Sequence, residues 1–87
     1  MDLNLDELLM TSPITEAYVE DGNLIICYAT AAGLPTPISF DYDGKSKILH
    51  VRVKQDTAYS IGSDIDSEAI QLPQEIVGLE VHLVNDE

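Results

Sequence analysis

From Lys47 to Lys54 the chain alternates with a period of two, and this constrains its fold more than any other feature. Lys47, Leu49, Val51 and Val53 fall on one side and Ile48, His50, Arg52 and Lys54 on the other, the pattern of a half-buried strand. A second alternation runs from Glu75 to Val84, where Val77, Leu79, Val81 and Leu83 interleave with Gly78, Glu80 and His82. Two such strands each need an apolar layer to cover one face, so the expectation is a β-rich α+β fold. It takes the form of a single small antiparallel sheet of four to six strands, with one short N-terminal helix packed against it.

The charges are distributed as unevenly as the apolar residues. Lys45, Lys47, Arg52 and Lys54 are the only cations among 87 residues, against 16 acids, giving a net charge of −12. With 45 % hydrophobic residues the chain falls outside the disordered class that its charge alone would suggest. Its length allows one domain and one core, divided here into a helix or arm over residues 1–13 and a β-rich body over 14–87.

Taken in order, residues 2–12 read as a short helix. Asn4 followed by Glu7 resembles a capping box, acids fill the first turn, Leu5, Leu8 and Leu9 share a face, and Ser12-Pro13 ends it. Residues 14–30 read as a hairpin turning at Asp21-Gly22-Asn23, with Leu24–Tyr28 apolar on both faces as in a central strand. Cys27 in that run reads as a small buried hydrophobe. The stiff connection over residues 31–37, Ala-Ala-Gly-Leu-Pro-Thr-Pro, leads to Ile38–Tyr42, which turns at Asp43-Gly44 into the basic strand. Residues 55–68 read as polar and irregular, and a brief strand is expected over Ala69–Leu72.

No nucleotide-binding glycine motif or nucleophile elbow is present, so no enzyme and no cofactor are expected. His50 and His82 approach each other if their strands pair, and with Glu80 they make an incomplete transition-metal set. Ordinary surface histidines are the default, and no metal site is expected. Weak binding of a divalent ion is considered for Asp64, Asp66 and Glu68, which share a face if extended. Opposite charges on the two alternating strands make them natural neighbours, so the basic strip is read as the element that fixes the last strand's register.

An anionic surface disfavours nucleic acid and anionic membranes and favours a basic partner. The expected partner is a basic protein, with nucleic-acid-binding proteins included, engaged through Glu16, Glu20, Asp21, Asp41, Asp43, Asp64, Asp66 and Glu68. In this reading the chain is a non-enzymatic acidic inhibitor or nucleic-acid mimic of phage or mobile-element type. The alternatives are a structural or adaptor subunit of a homo- or hetero-oligomer, and a weak metal-binding protein. A lone cysteine excludes an intrachain disulfide, Asp2, Asp6 and Glu7 stand where a signal peptide would be positive, and no apolar run approaches 18 residues. A soluble cytoplasmic protein is therefore expected.

From about residue 41 the sequence resembles a small bacterial family known only as a domain of unknown function. Its members pair an Arg-containing strand of alternating aliphatics with a later Ile-Val-Gly-Ile-Glu strand. The matching residues are Ile48-Leu49-His50-Val51-Arg52-Val53 and Glu75-Ile76-Val77-Gly78-Leu79-Glu80-Val81, with His50 standing where the family tends to have Tyr. The resemblance covers roughly half of the chain and implies a small β-rich fold, without activity or site residues.

Overall fold

A computed structural model describes residues 3–62 and 64–84. The described residues form six strands and two single-turn helices: α1 (Asp6–Leu9), β1 (Ile14–Glu20), β2 (Asn23–Thr30), β3 (Ile38–Asp43), β4 (Ile48–Lys54), α2 (Thr57–Ser60), β5 (Asp64–Gln71) and β6 (Gly78–Val84). The fold is β-rich as expected, but its strands divide into two sheets, ordered β1-β2-β5 and β3-β4-β6. The first is antiparallel throughout, whereas β4 and β6 run parallel.

The division follows from what each central strand must cover. β2 sends Leu24, Ile26 and Tyr28 to one side and β4 sends Leu49, Val51 and Val53, all of them buried. Burying a side chain of this size contributes about 1.5 to 3 kcal/mol, and each row is covered by placing it against the other. Both rows belong to one apolar cluster, closed by Leu8 of α1, Ile14 and Ala17 of β1, Ile38 of β3 and Ile76. Tyr59 of α2 is also buried, its hydroxyl donating to the Pro35 carbonyl at 2.6 Å.

Local chemistry explains the turns. Asp21 and Gly22 take φ values of 51° and 77°, the paired positive angles of a two-residue hairpin turn whose twist matches the strands it joins. The second hairpin differs from the reading that placed its turn at Asp43-Gly44. Its loop covers residues 44–47, and the left-handed residue is Lys47, at φ 61°. The Lys47 amide donates to the Asp43 carbonyl at 2.7 Å, and the Asp43 carboxylate accepts from the Lys45 amide at 2.9 Å. Lys47 therefore lies in the turn, and the basic strand begins at Ile48.

At the N-terminus α1 is a single turn with no side-chain cap at Leu5, its preceding residue; the Asn4 side chain accepts from the Asp6 amide instead. Leu8 is fully buried and Leu5 packs on the core, but Leu9 is exposed. The start of the expected helix at Asp2 lies outside the described residues. Cys27 is half-buried rather than buried, because it points away from the core on β2.

The region read as irregular contains the largest departures. Asp56 accepts from the Ala58 amide at 2.9 Å and so caps α2, a turn the sequence reading missed. β5 covers Asp64–Gln71 rather than a short stretch after Ala69, and all eight of its residues pair with β2. Between β4 and β6 the chain crosses to the first sheet and back, which returns it to the end from which β4 set out. A parallel pair requires a crossover of this kind.

Candidate functional site

In β4 the residues between the buried Leu49, Val51 and Val53 point outward, and β6 repeats this alternation beside it. The register places Glu80 opposite His50 and His82 opposite Arg52. On the other flank Asp41 of β3 lies opposite His50. The outer face of the second sheet thus carries Asp41, His50, Arg52, Glu80 and His82 on three adjacent strands.

Two histidines and a carboxylate converge there. His50 Nδ1 lies 2.8 Å from His82 Nε2 in a hydrogen bond. Glu80 Oε2 lies 3.3 Å from His50 Nδ1 and 3.7 Å from His82 Nε2. The rings are tilted by 33° with their centroids 5.0 Å apart. His50 is mostly covered, and His82 and Glu80 are about half exposed. The expected neighbouring of the two alternating strands therefore holds, but the charge pairing is partial. His50 meets Glu80, and Lys47 meets Glu75 at 3.4 Å from the turn, while β6 sets His82 rather than an acid opposite Arg52.

The eight acids expected to bind a partner do not share one surface. Asp41 and Asp43 belong to β3 in the second sheet. Hydrogen bonds from the Lys45 amide and from Ser46 hold the Asp43 carboxyl below the usual carboxylate range, with His50 adding a favourable charge. The other six, Glu16, Glu20, Asp21, Asp64, Asp66 and Glu68, all belong to the first sheet or its β1–β2 turn. All four cations lie on β4 or the turn before it, so the three strands of the first sheet carry no Lys or Arg.

Asp64, Asp66 and Glu68 do share a face of β5, as the alternation required. They succeed one another at about 6.5 Å along the strand, so they do not close on a common point. The described residues that do so are His50, Glu80 and His82. Glu68 is half-buried and accepts a long hydrogen bond, 3.4 Å, from the Tyr28 hydroxyl. Burial raises the Tyr28 pKa, and the charges of Asp66 and Glu68 raise it further.

The outer face of the first sheet is apolar at its centre, which the sequence reading did not anticipate. Ile25 of β2 lies between Tyr18 of β1 and Ala69 of β5, and Ala29 lies beside Ile65. Ile65 is 62 % exposed and Tyr18 37 %. Glu16 and Glu20 flank Tyr18 on the same side. Desolvation raises the Tyr18 pKa, with smaller contributions from Cys27, Glu20 and Glu16. The signal for this surface was the run Leu24–Tyr28, apolar on both faces, of which only one face is used by the core.

Comparison with known proteins adds no relative: no family model, no characterised protein and no solved structure matches the chain.

Proposed function

We propose that the chain is a non-enzymatic acidic binding protein whose first sheet docks a basic protein. The observation that carries this reading is the segregation of charge: six acids and no Lys or Arg on β1, β2, β5 and the β1–β2 turn, with Glu16 and Glu20 beside the outward apolar residues Tyr18, Ile25 and Ile65, and Asp64, Asp66 and Glu68 on the opposite face along the β5 edge. A field of one sign steers a partner of the opposite sign, and an apolar centre retains it after encounter. The evenly spaced Asp64, Asp66 and Glu68 suit a nucleic-acid-binding partner, since a row of carboxylates along a strand offers such a protein a substitute for phosphates. Inhibition by mimicry is the form of activity this implies.

A structural subunit assembling with itself fits the same surface less well. Two copies meeting symmetrically through the first sheet would set Glu16 and Glu20 against like charges, with no Lys or Arg of that sheet to compensate. A basic partner meets no such repulsion.

The test is affinity capture from host lysate with wild type and two variants, each checked for an unchanged circular dichroism spectrum. Basic proteins retained by wild type should be lost from Glu16→Lys/Asp64→Lys/Asp66→Lys and kept by Arg52→Glu. Equal retention by the triple variant would count against the proposal, as would loss confined to Arg52→Glu, which would move the site to the basic strand.

A further inference from the structure

We infer that His50, Glu80 and His82 form a binding site for a divalent transition-metal ion of the zinc class on the outer face of the second sheet. The inference is independent of the docking surface, which lies on the other sheet. Three donor atoms 2.8, 3.3 and 3.7 Å apart form a triangle whose centre is about 1.9 Å from each corner. A point just off its plane is about 2 Å from all three, the length of a zinc bond to imidazole nitrogen or carboxylate oxygen. The fit requires no movement of the backbone.

The hydrogen bond between the rings is a second observation pointing to the same place. An N–H of one imidazole is directed at the ring nitrogen of the other, so the two coordinating positions already face the gap between them. In the metal-free protein one proton occupies that gap, and an ion replacing it meets the Glu80 carboxylate as its third donor. Two imidazoles and one carboxylate suit zinc and its first-row neighbours, whereas calcium and magnesium prefer all-oxygen sites.

Parallel pairing makes the site. With Glu80 in register with His50, His82 stands two residues further along β6 on the same face and reaches the His50 ring diagonally. The buried Leu49 and Val51 on either side of His50 fix its strand. Asp41, opposite His50 on β3, adds a further negative charge, which Arg52 beside His82 partly offsets. Three protein ligands leave the remaining coordination position open to solvent.

Tag-free protein titrated with zinc chloride and followed by calorimetry and by histidine ring resonances tests this. Binding should saturate at one ion per chain, with the resonances of His50 and His82 shifting together. His50→Ala and His82→Ala should each weaken it roughly tenfold or more, and Glu80→Gln should also weaken it. Cys27→Ser, on the other sheet, should leave it unchanged. Since His82 and Glu80 are about half exposed, their replacement leaves the core intact, and the resonance shifts of the wild type do not depend on any variant folding. Zinc binding with undiminished affinity to the double variant His50→Ala/His82→Ala, or no response of either histidine at millimolar zinc, would overturn the inference.

Discussion

Replacing Leu49 by alanine should destabilise the protein by about 2 to 5 kcal/mol, the cost of losing a buried leucine and leaving a cavity. Leu49 is fully buried near the start of β4, the central strand of its sheet, between Tyr42 on β3 and Leu79 on β6. A domain of this length commonly has a total margin of about 5 to 10 kcal/mol, so this one truncation should consume a large part of it. Urea unfolding followed by circular dichroism measures the loss. A change below about 0.5 kcal/mol, the range of an ordinary surface substitution, would mean that β4 is not the central strand of a packed sheet.

The second large effect should come from Gly62→Ala. A Cβ built at Gly62 would run into the carbonyl group of Thr30, at the end of β2, and would crowd the Ala31 side chain. The obstacle is backbone, so it cannot be relieved by turning a side chain away. Overpacking of this kind costs roughly 1 to 3 kcal/mol. Here it should also shift the entry into β5, which pairs Asp64 with Thr30. The thermal midpoint should fall by several degrees, by roughly 4 to 8 °C for each kcal/mol in a domain of this size. An unchanged midpoint would mean that the chain does not pass so close to the end of β2.

The two elements with strict alternation, β4 and β6, were legible in the sequence because a half-buried strand repeats every two residues. β2 was legible as a central strand because apolar residues occupy both of its faces, and the Asp21-Gly22 turn because few other pairs accept positive φ at both positions. The direction of β6 was not legible, since alternation is identical for parallel and antiparallel strands. Only the path of residues 55–77 decides it.

β5 was hidden for a different reason. Asp64, Asp66, Ser67 and Glu68 have little intrinsic preference for a strand, and the segment is held extended by its ladder to β2 rather than by its own side chains. The meeting of His50 with Glu80 and His82 was legible only as a condition on strand pairing. Their convergence to within bonding distance of a single ion depends on register, which one residue of slip would destroy. Assigning all eight acids to one partner surface failed because composition does not say which sheet or face a residue joins: Asp41 and Asp43 went to the sheet that carries the cations, and Asp64, Asp66 and Glu68 went to the face of the first sheet opposite Glu16 and Glu20.

The proposed docking of a basic protein on the first sheet is tested most directly by measuring the affinity for a captured partner as a function of salt. Association steered by six acids on a sheet that carries no Lys or Arg should weaken steeply between about 50 and 200 mM salt, as screening shortens the reach of their field. The slope should flatten in Glu16→Lys/Asp64→Lys/Asp66→Lys. An affinity that is constant over that range in the wild-type protein would contradict the account and place recognition on the apolar contacts alone.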